Sequence, residues 1–132
     1  MIAVALGLSA CATAEDRLAG AGYTRLTGDQ TRDAFVGNTT LGSGQVSDYA
    51  IYFANTEALR GRITWQDNAA TDRGVWEVTG EDMYCRRWLE QWGERERQCW
   101  HIYRSGDAIA WVDPDGSVSA ETTLRPGNAE DL

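Results

Sequence analysis

Leu59-Arg60-Gly61-Arg62-Ile63-Thr64-Trp65 is the stretch whose pattern decides the fold. Leu59, Gly61, Ile63 and Trp65 alternate with Arg60, Arg62 and Thr64, the period of two expected of a strand with one buried face. The same period recurs outward from it. Tyr49, Ile51 and Phe53 alternate with Ala50, Tyr52 and Ala54, and Trp76 and Val78 with Val75, Glu77 and Thr79. Trp100, Ile102 and Arg104 alternate with Cys99, His101 and Tyr103. Turn-forming clusters separate the runs: Asn55-Thr56-Glu57, Asp67-Asn68, Thr79-Gly80-Glu81-Asp82, Ser105-Gly106-Asp107 and Asp113-Pro114-Asp115-Gly116. Short strands at this spacing predict a mainly-β chain, a small antiparallel up-and-down β-barrel or barrel-like sheet. Closure would also remove the exposed edges on which such sheets aggregate.

Two other segments carry local signals. Thr27-Gly28-Asp29-Gln30 fits a capping box, and Gly37 supplies a left-handed stop. Together they predict one short N-terminal helix over 28–36. Within 84–92, Cys85, Trp88, Leu89 and Trp92 fall at helical spacing. A hairpin would instead set Cys85 opposite Cys99, within the short Cα separation of a disulfide. The expectation is a strand over 82–88, a loop near Gly93 and a strand again from 97.

The three cysteines divide into one and two. Cys11 ends the apolar run Ile2–Ala10, which is too short to span a bilayer and matches the apolar core of an export signal. Leu8-Ser9-Ala10-Cys11 resembles the lipobox of bacterial lipoprotein signals, although no Lys or Arg precedes the run. On that resemblance Cys11 is the acylated first residue of the mature chain, and Ala12 after it points to the outer membrane. Cleavage after Ala12-Thr13-Ala14, leaving a soluble periplasmic protein, is the alternative, and a plain buried segment with a free cysteine is another. The expected division is a signal peptide over 1–10, a flexible tether over 11–24 and one domain over 25–132. An exported chain meets oxidising conditions, in which Cys85 and Cys99 would pair.

A wider resemblance rests on the capped helix leading into Gly37-Asn38-Thr39, the strand ending Tyr52-Phe53, Gly74-Val75-Trp76-Glu77-Val78, the two cysteines and the closing Gly127-Asn128. This pattern, over about residues 25–130, is similar to a family of small bacterial periplasmic proteins classed as a domain of unknown function. The resemblance implies a compact periplasmic β-barrel and nothing catalytic. The long charged insert between Cys85 and Cys99 departs from it.

Composition narrows function further. The chain has 132 residues, a formal net charge of −8, six Trp, and Arg as its only cationic side chain besides the single histidine. That balance repels phosphate backbones, so no nucleic-acid partner is expected. Arg86, Arg87, Arg95 and Arg97 are interleaved with Glu90, Glu94 and Glu96, which reads as a solvated, self-neutralising face. His101, alone, cannot build a multi-histidine metal site, and Asp113-Pro114-Asp115-Gly116 lacks the acids that would complete a calcium loop. No metal or cofactor is expected. The aromatic surplus is the remaining functional signal, with Trp88 and Trp92, set among charges, the residues expected to be exposed and to bind. The sequence therefore points to a non-enzymatic envelope lipoprotein that binds a small ligand in the barrel mouth or an envelope partner. A carboxylate-dependent cell-wall hydrolase and a purely structural accessory are the alternatives. An empty, aromatic-lined barrel interior of at least ~300 Å³ would favour the ligand.

Overall fold

The computed structural model describes residues 13–132, so Cys11 and the apolar run before it lie outside the described residues. The elements, in chain order, are α1 (Ala14–Gly20), β1 (Thr24–Arg25), α2 (Gly28–Phe35), β2 (Asn38–Ser43), β3 (Asp48–Phe53), β4 (Ala58–Trp65), β5 (Asn68–Val78), β6 (Met83–Trp88), β7 (Gln98–Ser105), β8 (Ala108–Val112) and β9 (Val118–Pro126). Each strand from β2 to β9 pairs antiparallel with its sequence neighbour. β9 returns to β2, with Thr40 opposite Leu124, and the sheet closes into an eight-stranded up-and-down barrel. β1 continues the edge of β7 that β6 leaves, placing Thr24 opposite Arg104.

The predicted fold class is correct, and the physical reasons are the ones its alternation implies. Tyr49, Ile51 and Phe53 of β3 face inward with Leu59, Gly61 and Ile63 of β4, their register partners. Trp65 departs from that pattern at 38% exposure, because it ends β4 at the Gln66-Asp67 turn, where the chain has passed the rim. Three strands that alternation does not single out, β2, β8 and β9, complete the barrel. β8 is apolar on both faces (Ala-Ile-Ala-Trp-Val) because α1 covers its outer side.

Helix α2 forms on its capping box: the Gln30 N–H donates to Thr27 Oγ1 at 3.2 Å, and the Thr27 N–H donates to Gln30 Oε1 at 2.9 Å. Its last residue, Phe35, is fully buried and plugs one end of the barrel. The Phe35 ring stacks on Phe53 at 4.5 Å and on Trp111 at 5.5 Å, and meets Tyr84 edge-on at 5.7 Å. Each such aromatic pair is worth roughly 0.5–1.5 kcal/mol beyond the area it buries.

The segment expected to be a flexible tether is folded where it is described. Thr13 caps α1 by accepting from the Asp16 N–H, Asp16 reciprocates, and Leu18 is buried against Tyr103, Ala110 and Val112. There are thus two helices near the N-terminus, where one was expected. The buried leucine decides it: one apolar anchor suffices to dock a capped turn on an apolar strand face.

Cys85 and Cys99 are bonded, at a Cα–Cα distance of 4.1 Å, and they are register partners in the β6–β7 hairpin. Closing a loop of this length stabilises by about 3 kcal/mol on the chain-entropy estimate. The loop it closes contains the charged insert, and that insert shapes the open end.

Candidate functional site

With α2 sealing one end, the other end of the barrel holds a half-open cavity of about 340 Å³. Its wall follows from strand parity. Arg86 and Trp88 on β6 share the inward face with Tyr84, and Trp100 on β7 and Trp111 on β8 stand beside them. Tyr49, Ile51 and Ile63 come from β3 and β4, and Ala120 and Thr122 from β9. Trp92 and Gly93 reach the rim from the insert between β6 and β7. The Trp111 indole N–H donates to Thr122 Oγ1 at 2.8 Å, which fixes that ring against the wall.

Trp88 and Trp92 do not form an exposed pair. Trp88 is only 3% exposed, and Trp92 is partly buried against it, ring centroids 4.8 Å apart and edge to face. The reason lies on the two strands beside it, β5 and β4. Gly61 and Gly74 carry no side chain where the Trp88 indole enters, so the ring folds inward instead of standing on the surface. A glycine inside an alternating strand is the signal in the sequence for such a close approach, and Gly61 carried it. Both tryptophans line the same cavity, Trp88 in its wall and Trp92 at its rim.

Arg86 corrects the view of its segment as a solvated face. Its guanidinium lies inside the barrel, 4.6 Å from the Trp100 ring centroid, 5.3 Å from Trp88 and 5.9 Å from Trp111. Arg87 next to it points outward and is exposed, as alternation demands. Arg86 makes no ion pair among the described residues, and its Nε is buried with no hydrogen-bond partner. Beneath it the Tyr84 hydroxyl is also buried, facing the Arg86 side chain but without a hydrogen bond of good geometry. Burial pushes the Tyr84 phenol up to about 12 although the nearby Arg86 charge works against the shift, so Tyr84 stays neutral and keeps its proton. Desolvation likewise raises the Tyr49 phenol, again opposed by Arg86.

One carboxylate holds the rim. Asp72, on the inner face of β5 and 4% exposed, accepts the backbone N–H groups of Glu90 at 3.1 Å, Gln91 at 2.9 Å and Trp92 at 2.9 Å, besides that of Arg73. Desolvation would raise its pKa, but these four donors together outweigh it and hold the carboxyl below the ordinary range. After this anchor the chain passes Gly93, Glu94 and Arg95, all at positive φ. Two of those residues are not glycine, and such backbone costs about 1–2 kcal/mol each.

Comparison with protein-family models, with curated proteins and with solved structures gave no match.

Other residues weighed in the sequence lie elsewhere. His101 is on the outer wall, where its Nδ1 sits 2.7 Å from Arg25 Nη2; burial and then the Arg25 charge lower its pKa. Asp113 and Asp115 are tied into their own turn by Ser117, whose hydroxyl reaches both. Among the described residues no group of His, Cys, Asp or Glu is arranged to hold a metal. Two larger concavities, of about 550 and 570 Å³, are more open grooves lined mostly by outward-facing strand positions, and each brings both signs of charge together. Arg62 and Glu130 pair across the first at 3.1 Å, and Arg97 and Glu77 across the second at 2.8 Å. An eight-stranded barrel is just wide enough to be filled or to hold one small ligand, and the aromatic cavity opens into this barrel's interior.

Proposed function

We propose that this chain is a membrane-anchored envelope lipoprotein whose barrel binds a small, largely apolar ligand in its open end and performs no chemistry on it. The observation that carries the binding is the cavity itself. Its 340 Å³ falls within the range of small-molecule sites, and its wall is aromatic with few polar groups. Chemistry has little support there. The lining contains no carboxylate and no histidine, the side chains most used for acid and base work. A tether at Cys11 and an oxidised cysteine pair suit the periplasm.

The experiment is a titration with N-phenyl-1-naphthylamine, a neutral apolar dye that brightens in apolar sites. The expected outcome is saturable brightening with one dye per protein. Ala120→Trp, which fills the cavity from β9 near its rim, should abolish it while leaving the circular dichroism unchanged. Brightening that never saturates, or that survives in folded Ala120→Trp, would rule the cavity out.

A further inference from the structure

Arg86 has a place in the cavity that packing alone does not explain. A guanidinium carries five N–H donors in one plane and no acceptor. The Trp100 ring, with Trp88 and Trp111 close by, meets the charge through its face, and the buried Nε still has no hydrogen-bond partner. Among the described residues no carboxylate lines the cavity to accept from the guanidinium. Burying such a group is costly unless an acceptor arrives, and Arg86 lines a half-open cavity through which one can come. A planar group with two acceptor oxygens matches a guanidinium edge in a paired hydrogen bond.

Resting on the cavity-binding proposal above, we infer that the ligand is a small carboxylic acid with an aromatic or alkyl tail, bound carboxylate inward on Arg86 with the tail between Trp88, Trp92 and Ile63. Charge sets the class. One guanidinium and no second cation line the cavity, so a single negative charge is matched and a dianionic phosphate is not. The chain's net charge of −8 disfavours multiply charged anions further. The neutral Tyr84 hydroxyl beside Arg86 keeps its proton and is a further donor toward the same end.

The test uses three compounds of one skeleton: 3-phenylpropanoate, 3-phenylpropan-1-ol and 3-phenylpropylamine, each titrated calorimetrically into the full domain at pH 7. The carboxylate should bind at least tenfold more tightly than the alcohol, and the amine should give no binding heat. Arg86→Gln should bring the carboxylate down to the alcohol's affinity while the alcohol's own affinity stays within a few-fold. An alcohol that matches the carboxylate on the wild-type protein would overturn the acid assignment and leave the cavity reading standing. So would a folded Arg86→Gln protein that keeps the carboxylate preference. Failure of all three ligands at millimolar concentration, together with unsaturable dye, would overturn both. The wild-type comparison needs no variant to fold, so it decides the matter even where Arg86→Gln unfolds.

Discussion

Gly61 and Gly74 determine how deep the Trp88 indole can sit. A Cβ at Gly61 would lie 2.6 Å from Trp88 Cη2 and 2.5 Å from Trp92 Cζ3, and one at Gly74 would lie 2.8 Å from Leu59 Cδ1. Two residues with no side chain thus make a seat for the largest one, and the pair of indoles that results separates into unequal roles. Trp88 is core: Trp88→Ala should lower stability by about 3–5 kcal/mol, as expected for a buried ring. Trp92 is rim: Trp92→Ala should cost about 1 kcal/mol, near the average for a point change, and weaken dye binding by tenfold or more. Thermal melts and the dye titration on both variants check this. Equal melting losses would show that the rim ring is as structural as the core ring. Arg86 belongs to the same scale. Its neighbours in sequence are charged and suggest water; its neighbours by parity, Tyr84 and Trp88, are aromatic and buried. Parity wins because a strand's alternation is a constraint of the backbone, whereas charge context is only a correlation.

At the scale of elements, the insert between β6 and β7 is a rim piece held by one anchor. The disulfide fixes its base and Asp72 fixes its turn, so the strained backbone at Glu94 and Arg95 is tolerated between two restraints. The Asp72 carboxyl titrates below its ordinary value of 3.8, so its contribution is fully present above that pH. The contribution is lost as pH falls through the lowered folded-state pKa. Asp72→Asn should therefore cost about 2 kcal/mol at pH 7, the scale of hydrogen bonds to a charged acceptor. The gap between variant and wild type should narrow as pH is lowered below about 4. Urea melts of both proteins at pH 7 and pH 3 measure it. A gap that does not change with pH would mean that the turn is held by packing and not by the ionised carboxylate.

At the scale of the whole molecule, the barrel is a vessel sealed by Phe35 at one end and open between tryptophans at the other. The folded α1 changes how it would sit in the envelope. If Cys11 carries lipid, the helix begins only three residues later, at Ala14, and Leu18 docks it on the barrel wall. The domain would then be held close against the bilayer, without the reach of a long tether. The expected mature N-terminus is acylated Cys11, heavier than the bare peptide by its acyl chains, which mass spectrometry of protein from a membrane fraction resolves. A soluble chain that begins at Glu15 would refute the anchor and would also remove the Thr13 cap from α1.

Sequence alone determined the parts of this protein that are local. Alternation at Leu59–Trp65 and its companions implies the strands, the capping box at Thr27–Gln30 implies α2, and the hairpin that sets Cys85 against Cys99 makes the disulfide possible. The barrel class followed from these, because a run of short strands with no long connections has few other ways to hide its edges. A second capping box, Thr13 to Asp16, was equally present, but its small polar surroundings read as a linker, and only Leu18 finding a buried partner makes it a helix. What tertiary structure decided is the site. Parity turns Arg86 inward, but that it lies among Trp88, Trp100 and Trp111, and that Gly61, two strands from Trp88, draws two indoles across the opening, depends on how the sheet curves. Those contacts reach between strands, and no pattern within one strand records a neighbour that another strand supplies.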